Sequence, residues 1–559
     1  MQKQCVQCMA EFVIEPQDIA FYTKVSPVFN GVTYNFPEPT HCPDCRMRRR
    51  MTYRNERTLY RRPCDVTGKQ IISVFSPNSP YKTCDKNHWY SDEFDPLAYG
   101  RDYDFTKPFF EQFHQLTLDM PFPSARVETS ENCEYNNDMK DCKDCYMCTR
   151  THMSQGMMYC YRGNTSEDCL DCTQITRCSL LKDCIQSVQC NQSRLLYFCT
   201  DCSDSAYLFD CRNCNDCFMS SGLRNKQYVW RNQQLNKEGY QAKLAALNVA
   251  SYEMSIALQQ EFEELIHHTP HEAQVIIKSE DCTGDNLFEC KNCHDCFGVQ
   301  RSQDCRYCWD NKQYTDVYDA YSGGRDSELV YETTSVANCY NARFIFRAFG
   351  SKNVLYSFHL ADCQDVFGCF GLQRAQYCIL NKQYTKEQYE ELMPRIIEHM
   401  QSTGEWGEYF PALCCPYAYN ETVANDYFPL TQPQMQALGW RCQEPDNSIP
   451  DVAKVINAAD LPDSIADIPD DILNWALRCN VTQRPYRVTK EELQFYRKHG
   501  YCVPRVHPDV RYQHRLHHSP GRHLHPDVCD KCRNNVMTTH KEHRPKTIYC
   551  NACYLSAVY

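Results

Sequence analysis

The feature that most constrains this chain is a three-residue spacing of cysteines in its middle. Fifteen cysteines lie between Cys133 and Cys217, and all of them fall in one three-residue frame. The other residues of that frame are mostly Ser, Leu and Ile, and the residue before each cysteine is usually Asp or Asn. A period of three fits neither a flat strand nor an α-helix. It predicts short strands joined by tight corners, with every third side chain pointing inward.

The same spacing returns twice further along the chain. One run extends from Leu287 to Cys308 and another from Val336 to Cys378, and the motif NKQY follows these runs at Asn311 and Asn381. Cys and Ser are small enough to stack inside a thin coil, where free cysteine behaves as a buried hydrophobe. Asp and Asn suit the corners because their side chains bond nearby backbone amides. The spacing resembles that of the thin β-solenoids of insect antifreeze proteins, a resemblance in periodicity alone.

A thiolate cluster of the metallothionein type and a ladder of disulfides are the alternatives to such a lining. A metal ligand cannot be exchanged for an aliphatic side chain, yet Ile175, Leu181 and Leu208 occupy positions of the cysteine frame. The chain opens with MQKQCVQC, without an apolar signal segment, and has no run long enough for a transmembrane helix. We therefore expect a cytoplasmic protein, in which thiols stay reduced and disulfides are rare.

The two ends of the chain are copies of one module of about 80 residues. The segment that begins at Cys5 matches the segment that begins at Cys479, and each copy has two sets of positions for a four-cysteine site. The complete sets are Cys5, Cys8, Cys42 and Cys45 in the first copy and Cys529, Cys532, Cys550 and Cys553 in the second. The incomplete sets are Cys64 and Thr67, with Cys84 nearby, and Cys479, Thr482, His507 and Val510.

The spacing of the two complete sets is typical of structural zinc. A CxxC turn presents two thiolates, and two such turns close a tetrahedron around Zn²⁺ with no open position for catalysis. In modules this small, the free energy of zinc binding is largely folding free energy. We therefore predict two structural zinc sites, with buried free thiols as the alternative. The clusters Cys64–Cys84, Cys414–Cys415–Cys442 and His514–His517–His518–His523–His525 are weaker metal candidates, because no spacing closes a site around them.

Arginines follow the second zinc knuckle in the first copy and recur at the same place in the second. Arginine pairs with phosphates, and neighbouring tyrosines can stack on bases, so these stretches suggest a face for RNA or the ribosome. The residues that we expect to form it are Arg46, Arg48, Arg49, Arg50, Arg54, Arg57, Arg61, Arg62, Arg511 and Arg515. The alternatives are a solvated surface or a dock on acidic residues of the chain, of which the acidic linker is one candidate.

The predicted fold class is mainly β with some α, with zinc-ribbon-like modules flanking a period-three, β-solenoid-like centre with amphipathic helices. The segments are a first zinc-ribbon-like module (1–90), a connecting segment (91–132), the first solenoid run (133–235), a helix (236–268), the second and third runs (282–384), a helix and cap (385–442), an acidic linker (443–475) and a second zinc-ribbon-like module (476–559).

The whole chain resembles a cysteine-rich zinc-ribbon family of small-genome, candidate-phylum bacteria. The resemblance is carried by Cys42-Pro43-Asp44-Cys45-Arg46, Arg54-Asn55-Glu56-Arg57, Phe109 to Phe113, Tyr419 to Thr422 and the set from Cys529 to Cys553. It implies a zinc-bound cytosolic protein and supplies no catalytic residues.

The leading hypothesis is a non-enzymatic zinc-binding scaffold or binding protein that engages RNA or the ribosome, with a protein partner left open. A metal or redox buffer that uses the interior thiols is one alternative. An enzyme built on the solenoid is the other, although we recognise no catalytic set in the sequence.

Overall fold

The computed structural model describes residues 1–445, 447–541 and 544–559. The chain forms two compact units: unit 1 comprises Met1–Ala125 and Val275–Gln443, and unit 2 comprises Arg126–Gln274 and Glu444–Tyr559. Each unit therefore combines one terminal module with one part of the cysteine-rich centre. Among the described residues, no helix has the length and the apolar character that crossing a bilayer requires.

Unit 1 is mainly β, with helices in its terminal module and after its cysteine-rich part. Its α-helices are Pro16–Val25, Pro43–Met51, Lys86–Trp89, Phe109–Asp119, Lys386–Ser402, Val423–Tyr427 and Gln432–Ala437. Its strands before residue 125 are Gln2–Gln4, Glu11–Val13, Val28–Phe29, Val32–Thr33, Tyr60–Pro63, Gln70–Ser73, Thr83–Cys84 and Phe122–Pro123. The strands that we name the unit 1 ladder are Ile276–Ile277, Glu280–Asp285, Leu287–Phe288, Lys291–Phe297, Gln303–Arg306, Trp309–Ala337, Tyr340–Phe349, Lys352–Ala361, Gln364–Phe367, Gln376–Ile379 and Lys382–Gln383.

Unit 2 is also built from a ladder of strands and a terminal module with helices, but its ladder precedes its terminal module in the chain. The strands that we name the unit 2 ladder are Val127–Glu128, Asn137–Lys140, Thr149–His152, Tyr161–Asn164, Thr173–Thr176, Ser179–Lys182, Asn191–Tyr197, Ala206–Phe209, Asn215–Ser221, Gln227–Trp230 and Gln233–Gln234. Its other strands are His271–Glu272, Lys454–Asn457, Trp475–Arg478, Pro485–Tyr486, His525–Val528, Asn535–Thr538 and Ile548–Tyr549. Its α-helices are Lys237–Ala245, Tyr252–His268, Lys490–His499, Pro508–His517 and Asn551–Val558.

Most neighbouring strands of both ladders pair in parallel with an offset of twelve residues. The exceptions are at the ends: Ile276 lies opposite Leu287 at an offset of eleven, and the last strands, Gln233–Gln234 and Lys382–Gln383, pair antiparallel. In unit 2, Thr149 lies opposite Tyr161, which lies opposite Thr173. In unit 1, Tyr340 lies opposite Lys352, which lies opposite Gln364. The backbone therefore returns to the same register every twelve residues.

Every third residue of the ladders has a positive φ, and this explains the Asp and Asn residues that precede the cysteines. Asp141 has φ 55°, Asp144 has φ 52° and Asp216 has φ 49°. Asn and Asp enter this left-handed region more readily than other side chains that carry a Cβ. The sequence indicated a corner at these residues, and the structure adds that the corner is a single left-handed residue.

The residues that follow the left-handed positions form the interior of each ladder. Every cysteine from Cys133 to Cys217 is buried, which confirms the prediction that the frame points inward. These thiols also donate hydrogen bonds to the carbonyl two residues earlier, as Cys184 Sγ does to Lys182 O at 3.4 Å and Cys211 Sγ does to Phe209 O at 3.4 Å. All forty cysteines are free thiols, so the lining holds no disulfide.

Two expectations about the centre are wrong in detail. The second and third cysteine runs lie in one ladder, within the segment 282–384, but the NKQY motif at Asn311 lies inside the Trp309–Ala337 strand and does not end the second run. The frame changes because Arg325 and Asp326 are both left-handed, which inserts one extra residue. The helix expected over 236–268 is two helices, since Ser251 starts a new one by accepting a hydrogen bond from Met254 N at 3.1 Å.

Candidate metal centres and their docks

The first complete cysteine set converges in unit 1. Cys5 and Cys8 lie on the turn between the Gln2–Gln4 and Glu11–Val13 strands, where Met9 has φ 63° and donates from N to Cys5 O at 3.0 Å. Cys42 caps the Pro43–Met51 helix and Cys45 lies in its first turn. The four Sγ atoms lie within 4.8 Å of one another.

The Sγ distances match those that a tetrahedral zinc site requires. Cys8 Sγ and Cys42 Sγ are 3.6 Å apart. With Zn–S bonds of about 2.3 Å, two thiolates of a tetrahedron lie about 3.8 Å apart. A hydrogen bond from the Cys45 thiol lowers the pKa of Cys42 to about 5. The same hydrogen bond raises the pKa of Cys45, and burial raises the pKa of Cys8, so Cys42 is the thiol of these three that most readily becomes a metal-binding thiolate.

The second complete set repeats this arrangement in unit 2. Cys529 and Cys532 lie on a turn in which Arg533 has φ 64° and donates from N to Cys529 O at 2.9 Å, and Cys550 caps the Asn551–Val558 helix. Cys532 Sγ and Cys550 Sγ are 3.7 Å apart, and Cys553 completes the set within 4.8 Å. Burial raises the pKa of Cys529, but N–H donors from Cys532, Cys550 and Lys531 outweigh burial and bring this pKa to about 6.

The incomplete set of unit 1 keeps the backbone conformation of the complete set in unit 2, but it has fewer cysteines. Thr67 N and Asp85 N donate to Cys64 Sγ, each at 3.2 Å. The second of these bonds matches the one from Cys550 N to Cys529 Sγ at 3.3 Å in unit 2. Asp85 therefore takes the place of Cys550, and the expected counterpart Cys84 is one residue out of register.

The incomplete set of unit 2 also keeps its turn. His507 N and Thr482 N donate to Cys479 Sγ, at 3.2 and 3.5 Å. His507 caps the Pro508–His517 helix in the place where Cys42 caps its counterpart. One cysteine with two N–H donors preserves the fold of the knuckle in each incomplete set.

Few groups of potential metal-binding side chains lie close together in the described part of the chain. Besides the two four-cysteine sets, the side chains of Glu263, His514 and His518 are the remaining group of three or more whose ligand atoms lie within 4.8 Å of one another there. Cys64, Cys84, Cys414, Cys415 and Cys442 belong to none of these groups. Cys414 Sγ and Cys415 Sγ instead donate to Phe110 O at 3.6 Å and Thr52 O at 3.2 Å.

The arginines that follow the first complete cysteine set along the chain point into the interior of unit 1. Arg46 Nε lies 2.9 Å from Asp319 Oδ1, and Arg50 Nη2 lies 3.1 Å from the same oxygen. Arg50 Nη1 also reaches Glu332 Oε2 at 2.5 Å. All four side chains are at most 2% exposed. The Pro43–Met51 helix is thus fixed to the unit 1 ladder by a buried ionic cluster.

Unit 2 has the same cluster at the equivalent residues. Arg511 and Arg515, the counterparts of Arg46 and Arg50, lie 3.4 and 3.1 Å from Asp171 Oδ1. The guanidinium group of Arg511 also lies 4.8 Å from the ring centroid of Tyr159, twelve residues before Asp171. In unit 1, Arg46 lies 5.1 Å from the ring of Tyr307, twelve residues before Asp319. We call Asp171 and Asp319 the docking aspartates.

The remaining arginines complete this correction to the expected basic face. Arg49 pairs with Glu408 at 3.0 Å, Arg54 with Glu56 at 2.5 Å and Arg62 with Asp65 at 2.9 Å, and all three arginines are buried. Arg48 and Arg57 are half-buried and Arg61 is exposed. Most of the basic stretch is therefore a dock inside its own unit, with Asp319, Glu332 and Glu408 as partners in place of the acidic linker. No signal in the sequence marked these partners.

Comparisons with known proteins add no identity. No family model and no curated protein matches the sequence. A solved structure of a candidate acetyltransferase from Desulfovibrio desulfuricans is matched at 10% identity with a TM-score of 0.09, over 48% of this chain and 78% of that one. A TM-score this low carries no argument about fold or activity.

Proposed function

We propose that this protein is a non-enzymatic zinc-binding scaffold made of two similar units. The observation that carries the proposal is the pair of four-cysteine clusters, with Sγ distances of 3.6 and 3.7 Å, one in each unit. Four thiolates suit Zn²⁺ and leave no coordination position for a substrate. In each unit the zinc cross-links a turn to a helix start, so its contribution is to hold the terminal module together.

We further propose that each ladder is a thin β-solenoid that carries its zinc module. The parallel twelve-residue offset and the left-handed residue at every third position support a coil with four bends per turn. The docking aspartates each stand on such a bend, with φ 57° in both units. A rigid coil that presents a buried aspartate to two arginines would fix the helix next to it.

A metal or redox buffer is less well supported. A store of metal needs thiolates that converge, and within the described residues no three ladder cysteines lie within the 4.8 Å that groups the two terminal sets. Ladder thiols instead donate to backbone carbonyls, as Cys184 and Cys211 do. Burial raises the pKa of Cys339 and Cys363 to about 11, which makes these two thiols poor nucleophiles and poor ligands at neutral pH, whereas a hydrogen bond with Cys290 lowers the pKa of Cys293 to about 4.

An RNA or ribosomal partner stays a prediction from the sequence. Seven of the ten arginines that suggested it are buried, so a phosphate would have to displace a carboxylate to reach them. Filter binding of the purified chain to total RNA at low and at high salt tests this partner. Affinity at low salt that falls steeply with salt would support it, and an absence of binding at low salt would remove it.

Native mass spectrometry of the purified chain tests the zinc scaffold. We expect two tightly held zinc ions per wild-type chain. Cys45→Ser and Cys532→Ser should each retain one of these ions, and the double variant should retain neither. Cys64→Ser is the matched control, because it removes a cysteine from an incomplete knuckle and should leave both ions in place. A folded wild-type chain without zinc after expression in zinc-supplemented medium would refute the proposal.

A further inference from the structure

A cluster of two histidines and one glutamate lies apart from both cysteine sets in unit 2. His514 is in the last turn of the Pro508–His517 helix, and His518 caps that helix one turn later. Residues four apart on a helix lie on the same face. Glu263 faces them from the middle of the Tyr252–His268 helix.

Both imidazoles direct the same nitrogen at one carboxylate oxygen. Glu263 Oε1 lies 3.1 Å from His518 Nε2 and 3.5 Å from His514 Nε2. With metal–ligand bonds of about 2.1 Å, two ligand atoms of a tetrahedral zinc site lie about 3.4 Å apart. These two nitrogen–oxygen separations fit one shared metal ion, and the three ligand atoms of the group all lie within 4.8 Å of one another.

The carboxylate oxygen supplies a second, independent observation. Glu263 Oε1 is buried and accepts no hydrogen bond of good geometry, although two nitrogens stand beside it. A buried carboxylate oxygen without a hydrogen-bond partner carries a desolvation cost that nothing offsets. A cation between Glu263, His514 and His518 would satisfy it. Gln259 Nε2 also lies 3.2 Å from His514 Nε2, the same nitrogen that faces Glu263, and a bound ion would take the place of this contact.

We propose that Glu263, His514 and His518 form a third metal site, for a divalent first-row transition ion such as Zn²⁺. Two imidazoles and one carboxylate are a donor set for these ions, and a site with three protein ligands keeps one position open. The side chains are 12–38% exposed, so an ion and a further ligand can enter from solvent. This site would differ in kind from the two closed cysteine sites.

Unit 1 offers an internal contrast. The residues at the places of His514 and His518 are Arg49 and Tyr53, which cannot bind a cation in this way. Arg49 instead pairs with Glu408 at 3.0 Å. The inference therefore predicts one additional metal ion per chain, in unit 2 alone.

Isothermal titration of Zn²⁺ into the full chain tests the site, after the two cysteine sites have been filled and loose metal has been removed by dialysis. The wild type should bind one further equivalent. The variant H514A/H518A should lose that equivalent, and E263Q should weaken its binding more than about tenfold. His523→Ala is the control, because it removes a nearby imidazole outside the cluster and should bind as the wild type does.

Retention of two zinc ions in native mass spectra establishes that each variant is folded. The wild type taking up no third equivalent would overturn the proposal. Uptake that persists unchanged in H514A/H518A would overturn it as well. Because the cysteine sites are counted separately, a failure here leaves the zinc scaffold itself untouched.

Discussion

Unit 1 and unit 2 are built from the same parts, but their complete four-cysteine sets lie at different knuckles. In unit 1 the complete set is the one that includes the start of the Pro43–Met51 helix, directly before the docking arginines. In unit 2 the complete set includes the start of the Asn551–Val558 helix, and the helix with the docking arginines begins at His507 without a cysteine pair. The ionic dock is common to both units, whereas the position of the metal is not.

This difference separates two roles in the module. The dock of Arg46 and Arg50 on Asp319, repeated by Arg511 and Arg515 on Asp171, attaches the module to its ladder. One metal site then suffices to hold the module itself, at either of two knuckles. An incomplete knuckle keeps its shape because two N–H groups still bond its remaining cysteine.

The largest expected effect is loss of zinc, and it should differ in rate between the units. In unit 1 three of the four cysteines, Cys5, Cys42 and Cys45, are buried and Cys8 is exposed. In unit 2 Cys529 alone is buried, Cys532 is exposed, and Cys550 and Cys553 are half-exposed. Structural zinc contributes on the order of 10 kcal/mol to small modules. We expect EDTA to remove the unit 2 zinc first, with unfolding confined to the unit 2 module. Hydrogen exchange after timed chelation measures this, and loss of the unit 1 ion first would contradict it.

The second prediction concerns the ladder interior and should hold equally in both units. Cys211→Asp places a charge where the side chain has no exposed surface, and an unpaired buried charge costs several kcal/mol. Cys363→Asp makes the same change in the unit 1 ladder. Asn213→Asp is the control, because it adds the same charge at an exposed, left-handed residue two positions away. Urea denaturation followed by circular dichroism should show a large loss for both cysteine variants and almost none for the control.

The cysteine pattern predicted the metal sets and the buried lining because both depend on local spacing. Asp141 and Asp144 indicate the corners in the sequence through side-chain hydrogen bonding, whereas in the structure these residues are left-handed, with φ 55° and 52°. The docks could not be foreseen, since Arg46 and Asp319 are 273 residues apart and no short-range pattern links them. Glu263 was missed for the same reason, because it meets His518 only through the packing of two distant helices.

The third prediction breaks the dock, the feature that the two units share. Asp319→Asn removes the charge that faces Arg46 and Arg50, and removing one partner of a buried ion pair costs about 3–5 kcal/mol. Asp171→Asn should have a similar effect in unit 2. Increased hydrogen exchange in the Pro43–Met51 helix or the Pro508–His517 helix, respectively, is the measurement.

Asp316→Asn is the control for the unit 1 dock. Asp316 stands one corner earlier in the same ladder, with φ 53°, and pairs with the exposed Lys24 at 2.8 Å. A partly exposed pair of this kind is worth about 0–1 kcal/mol. Equal exchange in Asp316→Asn and Asp319→Asn would show that the buried dock is not what holds the helix.

The smallest expected effect is a pH dependence that unit 2 has and the equivalent place in unit 1 lacks. The His271–Glu272 strand pairs with Ile548–Tyr549 as Phe122–Pro123 pairs with Thr83–Cys84, so Phe122 is the counterpart of His271. Burial, together with the neighbouring His540, lowers the pKa of His271 from 6.5 to about 4. The unfolded chain therefore takes up the proton first as the pH falls below 6.5, and the free energy of unfolding falls by about 2 kcal/mol between pH 7 and pH 5.

His271→Phe places the residue of unit 1 at this position and should make this loss of stability smaller. Urea titrations at several pH values, followed by hydrogen exchange of the Ile548–Tyr549 strand, measure it. The same pH slope in wild type and variant would mean that His271 is not the group that titrates, and that acid acts on unit 2 through His540, whose pKa burial also lowers to about 4, or through the zinc thiolates.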